Sequence, residues 1–127
     1  MSDFLFDTDV LIDILRGNDA TFEQVFNATQ NGSADLYCSC ITIGEIFAGM
    51  KPHEEKPTQK LLDSLIKIPI TENIAELAGN LKYKTKTHTL YLDDCFIAAS
   101  AILNRCVLFT KNAKHYPFKE LTIHQVK

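Results

Sequence analysis

Short apolar runs separated by longer stretches in which apolar residues recur every three or four positions make up most of this chain, a succession that predicts strands alternating with helices. The first run, Phe4-Leu5-Phe6, stops at Asp7 and reads as a buried strand of a parallel sheet. Val10, Leu11, Ile14 and Leu15 then fall at helical spacing up to Arg16-Gly17, with Gly17 placed as the C-cap. Asn18 or Asp19 caps a second helix with Phe22, Val25, Phe26 and Thr29 on one face and a stop at Asn31-Gly32.

Leu36 to Ile41 is β-prone and predicts a second strand. Thr42 follows as the N-cap of a helix, with Glu45 three residues later in the spacing of a capping box. Lys51 to Pro57 reads as a loop. Thr58 onward, with Leu61, Leu62, Leu65 and Ile66, predicts an amphipathic helix, and Ile68-Pro69-Ile70 an extended connector. Thr71 caps a helix through Ile74, Leu77, Ala78 and Leu81. Lys82, Lys84 and Lys86 near its end suit either the helix dipole or phosphate contact. After a loop at Thr85 to Thr89, Leu90 to Leu103 is helical. Cys106 to Thr110 is another buried strand, and Leu121 to Val126 a last one at the sheet edge. The expected fold is one α/β domain over residues 1–127 with a central, mainly parallel sheet.

Composition narrows the picture modestly. An apolar share of 46% in 127 residues suits a single sizeable core. A net charge of -3 argues against a broad basic face for nucleic acid, although acids gathered in a metal site would mask basic residues elsewhere. Cys38, Cys40, Cys95 and Cys106 lie among apolar neighbours without a C-x-x-C pair, which predicts buried reduced thiols and not a zinc site. Met1-Ser2-Asp3 carries no basic leader, and no apolar run approaches the ~20 residues of a membrane span, so a cytoplasmic protein is expected.

The candidate chemistry lies at strand ends. Asp7 ends the first strand, and Glu45 starts a helix just past the second. Asp94 shares the inward face of its helix with Ile97, Ala98 and Ala101, whereas Asp93 points about 100° away and reads as a cap or solvent-facing acid. Asn112 follows the Cys106 to Thr110 strand. In open α/β sheets the carboxyl edge is where ligands bind. Carboxylates converging there repel unless a divalent cation neutralises them, and all-oxygen ligands favour Mg²⁺ or Mn²⁺. Such a site suits phosphodiester hydrolysis. Capping alone would also explain Asp7, Asp9 or Glu45.

The segments Leu5-Phe6-Asp7-Thr8-Asp9-Val10-Leu11-Ile12-Asp13 with Arg16-Gly17, Thr42 to Gly49, Asp94 to Ala99 and Thr110 to Tyr116 together resemble the PIN-domain family. They look most like the VapC-type ribonuclease toxins of prokaryotic toxin–antitoxin pairs. The resemblance covers almost the entire chain. It implies a three-layer α/β/α fold, Mg²⁺- or Mn²⁺-dependent cleavage of RNA, and metal-binding acids corresponding to Asp7, Glu45 and Asp94, with the Thr8 hydroxyl beside them. Asn112 stands where many PIN domains carry a fourth acid. The resemblance also implies a homodimer and a small antitoxin partner in the active-site groove.

Two other readings fit parts of the pattern. Asp7-Thr8-Asp9 also resembles the D-x-D motif of haloacid-dehalogenase-like phosphatases, with Asp7 as nucleophile and Asp9 as general acid. A PIN-like domain that binds RNA or protein without catalysis is the alternative from another class.

Overall fold

A computed structural model of the chain describes residues 3–30, 34–86 and 89–127. Asp3–Phe6 forms β1, followed by α1 (Thr8–Leu15) and α2 (Asp19–Thr29). Next come β2 (Leu36–Ser39), α3 (Cys40–Gly49), a 3-10 turn at Pro52–Glu54 and α4 (Glu55–Asp63). The rest is β3 (Ile66–Ile68), α5 (Glu72–Lys84), α6 (Leu92–Leu103), β4 (Cys106–Thr110), a second 3-10 turn at Ala113–His115 and β5 (Ile123–Gln125).

The five strands form one sheet in the order β3-β2-β1-β4-β5, with every pairing parallel. The chain builds outward from β1 in one direction through β2 and β3, then crosses back to lay β4 on the other side of β1. This reversal opens a crevice at the carboxyl ends of β1 and β4, where neighbouring connections leave in opposite directions. Asp7 extends the ladder there, its N–H donating to the Phe109 carbonyl at 2.8 Å.

Strand alternation sorts the core into two halves. Leu5, Tyr37 and Leu108 face a cluster closed by Ile74, Ala78 and Leu81 of α5 and Ile97, Ala98 and Ala101 of α6. Phe6, Cys38 and Phe109 face the opposite side, against Val10 and Leu11 of α1, Val25 of α2, Ile46 of α3 and Leu62 of α4. Helices therefore cover both faces in the expected three layers. The small residues of α6 let it lie close against β4, and Ala98, Ala99 and Ala101 are fully buried.

Several boundaries differ from the sequence reading. Ser39, not Thr42, caps α3, its hydroxyl accepting from the Ile41 N–H at 3.1 Å, so the helix starts two residues before Thr42. The expected capping box at Thr42 and Glu45 is absent, and Thr42 is buried inside the helix. Much of the expected loop from Lys51 to Pro57 is helical: Pro57 falls in the first turn of α4, where its missing N–H costs nothing. α4 ends at Asp63, which frees Ile66 to Ile68 for a strand read from sequence as helix end and connector. Arg16 is the C-cap of α1, and Gly17 follows with φ +77°, the left-handed geometry that ends helices. The helix stop expected at Asn31-Gly32, and Thr87 and His88 of the expected loop, lie outside the described residues. Cys38, Cys95 and Cys106 are buried, Cys40 is half-buried, and all four are free thiols.

Candidate active site

Asp7 is the N-cap of α1, with backbone still extended at φ -65° and ψ 154°. Its Oδ1 accepts from the Thr8 N–H at 2.8 Å, and its Oδ2 accepts from the Thr110 hydroxyl at 2.7 Å and the Tyr116 hydroxyl at 2.9 Å. Capping and a place in the crevice are therefore two uses of one side chain. Tyr116 is buried, and burial together with the neighbouring carboxylates of Asp7 and Asp94 holds its phenol far above the ordinary range, so it remains a proton donor. One hydroxyl has one proton to give. It goes to Asp7, while Asp94 Oδ1 stands at the longer distance of 3.4 Å.

Thr8 turns the other way. Its hydroxyl donates to Glu45 Oε1 at 2.6 Å, with the Thr42 hydroxyl at 3.0 Å, tying the start of α1 to α3. Glu45 also lies against Asp93. Burial, then Asp93 and Asp7, raise its carboxyl above the usual range despite the bond from Thr8. Burial and Asp7 raise Asp94 likewise, opposed by His115, whose Nδ1 lies 3.8 Å from Asp94 Oδ2. Glu45 and Asp93 both line a groove of about 330 Å³ whose apolar walls include Ile41, Ala48, Leu92 and Phe96. Of the two roles read for Asp93 from sequence, the cap goes to Tyr91, which holds the N-cap position, while Asp93 is exposed as a solvent-facing acid would be.

Asp9 and Asn112 form a separate pair on the rim. Asn112 Nδ2 donates to Asp9 Oδ2 at 2.8 Å, and the Lys111 N–H donates to the same oxygen at 3.2 Å. Asp9 Oδ1 is buried without a hydrogen-bond partner. Burial, followed by the charge of Asp7, pushes the Asp9 carboxyl up to about 6. With Oδ2 held by Asn112 and Lys111, Asp9 is not presented as the free general acid that a D-x-D phosphatase needs. Lys111 in turn pairs with Asp13, which also accepts from Thr21 at 2.8 Å and Asn18 at 3.1 Å, fastening the α1–α2 turn to the end of β4.

The fold thus brings Asp7, Glu45, Asp93 and Asp94 into one another's electrostatic field at the switch of strand order. Asn112 borders that cluster through Asp9. Among the described residues no three His, Cys, Asp or Glu side chains are drawn together tightly enough to hold a metal ion. The donor chemistry nevertheless fits a hard divalent cation: all-oxygen donors, with carboxyls whose raised pKa reflects burial and uncompensated like charge. In the sequence reading Thr110 and Tyr116 entered only as ends of the segment that carries the family resemblance, without a role at the site. Thr110 carried no signal, being one more β-branched residue in a strand, whereas Tyr116 in an apolar setting needed a hydroxyl partner and pointed toward a buried acceptor.

Comparison with known proteins identifies the family. Ribonuclease VapC10 of Mycobacterium tuberculosis is 35% identical over 118 residues, which span 91% of this chain and 87% of that protein. Ribonuclease VapC19 of the same organism is 29% identical over 115 residues, 89% of this chain and 91% of that one. Among solved structures, a toxin–antitoxin complex from Klebsiella pneumoniae contains a chain with TM-score 0.81 and 30% identity, covering 98% of both chains. DNA-bound VapBC from Salmonella typhimurium, at 19% identity and TM-score 0.85 over the whole of both chains, shares the fold. The model of the PIN domain matches residues 4–121, and the chain belongs to the PIN domain family.

Proposed function

We propose that this protein is a divalent-metal-dependent endoribonuclease and the toxin of a toxin–antitoxin pair. The observation that carries the reading is the set of carboxylates from the β1–α1 junction, α3 and α6 gathered at the reversal of strand order, in a chain 35% identical to a protein named as a ribonuclease. Asp7, Glu45 and Asp94 are the residues that would hold Mg²⁺ or Mn²⁺. Bound there, the cation supplies an activated water and charge neutralisation on the phosphodiester.

The chain's own groups prepare that site. Thr110 and Tyr116 fix Asp7 Oδ2, leaving Oδ1 with one N–H partner and spare acceptor capacity. Thr8 orients Glu45 from the start of α1, and Asp93 lies beside it. Asn112, assigned to the site from sequence, acts in this reading as a positioning residue that holds Asp9 on the rim. The apolar groove beside Glu45 and Asp93 gives the RNA a surface on which bases can rest.

A small antitoxin partner and a homodimer belong to the same proposal, the first supported by the likeness to the Klebsiella pneumoniae complex. Among the described residues no helix is long and apolar enough to cross a membrane, and a cytoplasmic location fits an RNA substrate. Incubation of the purified protein with labelled RNA tests the reading: cleavage in Mg²⁺ or Mn²⁺ that stops with EDTA supports it, and full activity in excess chelator removes the metal mechanism.

A further inference from the structure

The end of α5 carries a surface that the carboxylate site does not use. Tyr83 is 70% exposed there, with the Lys86 ammonium 4.2 Å from its ring centroid, and Tyr91, just before α6, is 65% exposed. Beside Tyr83 and Lys86 lies an open cavity of about 530 Å³, also bordered by Gly79, Lys82, Thr85 and Leu90.

The lysines divide by role. Lys82 donates to the Leu90 carbonyl at 2.6 Å and so ties the segment before α6 onto α5. Lys86 forms no ion pair among the described residues and is held over an aromatic ring. A cation beside exposed aromatic faces is the combination that grips single-stranded nucleic acid, stacking bases and neutralising phosphate without reading sequence. The placement suits the same substrate. Tyr91 is the N-cap of α6, three residues before Asp94, and Leu90 beside it borders the same cavity as Tyr83 and Lys86. An acidic protein partner would satisfy Lys86 but leave the two aromatic faces unexplained.

We propose that Tyr83, Lys86 and Tyr91 form a substrate subsite that stacks an unpaired base and contacts its phosphate in single-stranded RNA flanking the cleaved bond. The proposal rests on the ribonuclease reading given above. Its test is steady-state cleavage of an unstructured labelled RNA by the wild type, Tyr83→Leu and Tyr83→Phe, with melting temperatures recorded alongside. The expected result is a roughly tenfold rise in KM for Tyr83→Leu, with kcat nearly constant, and wild-type KM for Tyr83→Phe, which keeps the ring. A wild-type KM for Tyr83→Leu, the result a protein-docking role for this patch also gives, overturns the subsite while leaving the nuclease standing. So does equal impairment of Leu and Phe. A wild type that cleaves no RNA in Mg²⁺ defeats the ribonuclease reading itself, and the subsite with it.

Discussion

The Tyr116 hydroxyl donates to Asp7 Oδ2 at 2.9 Å, joining two residues 109 positions apart inside the core. With Thr110 on the same oxygen, Tyr116 sets the direction of the carboxylate that ends β1. Tyr116→Phe keeps the ring and its packing but removes the donor. The expected outcome is a loss of roughly 1–2 kcal/mol in urea unfolding and a fall in cleavage of roughly 10–100-fold, because Asp7 is then held by Thr110 and its own cap alone. Wild-type cleavage in this variant would show that Tyr116 serves packing only.

Thr8 gives a parallel case on the other side of the crevice. Thr8→Val is nearly isosteric and deletes the bond to Glu45. Cleavage is expected to drop roughly 10–100-fold, with a stability loss of about 1–3 kcal/mol because the buried Thr42 hydroxyl also loses its Thr8 partner. A loss of stability without loss of rate would reverse that assignment.

The Asp13–Lys111 pair predicts a pH dependence. Burial raises the Asp13 carboxyl, but hydrogen bonds from Lys111, Thr21 and Asn18, with the Lys111 charge, outweigh it and leave the group below its ordinary value. A depressed acid adds stability that is fully present above its unfolded value of about 3.9 and is lost as pH falls through the lower, folded value. Asp13→Asn should therefore be less stable than wild type at neutral pH by about 1 kcal/mol or less, the pair being partly exposed. The difference should shrink below about pH 4. Urea unfolding at pH 7 and in the acid range measures it.

Asn112→Asp places a second carboxylate against Asp9 in place of a donated hydrogen bond. The metal-free protein is expected to melt lower than wild type, and the rise in melting temperature on adding Mg²⁺ to be larger, because a cation then relieves more repulsion. Equal Mg²⁺-induced shifts would place residue 112 outside the metal's reach.

Much of the architecture was legible because buried parallel strands and amphipathic helices write their periods directly into the sequence. Phe4-Leu5-Phe6 and Cys106 to Thr110 were readable as strands, and their alternating residues divide between the two halves of the core. Ile66 to Ile68 was not, since three residues beside a helix of similar apolarity carry no period of their own and become a strand only by pairing with β2. Thr42 was misread for a related reason: Ser39 and Thr42 are both good caps, and the hydroxyl contact with Thr8 that buries Thr42 comes from a residue 34 positions away. The acids at strand ends could be nominated from position. Their mutual arrangement, with Asp93 on Glu45 and Tyr116 between Asp7 and Asp94, depends on how α3 and α6 pack across the crevice.

Carboxylates at the carboxyl edge of the sheet, Asp94 among them, would hold the divalent cation that RNA cleavage requires. Asp94→Asn tests it most directly when cleavage of labelled RNA is measured with Mg²⁺ beside thermal melting with and without the ion. The account predicts that cleavage is abolished, that Mg²⁺ no longer raises the melting temperature, and that the metal-free variant is at least as stable as wild type, since one charge has left a repelling cluster. A variant that cleaves RNA at the wild-type rate and is still stabilised by Mg²⁺ would contradict it.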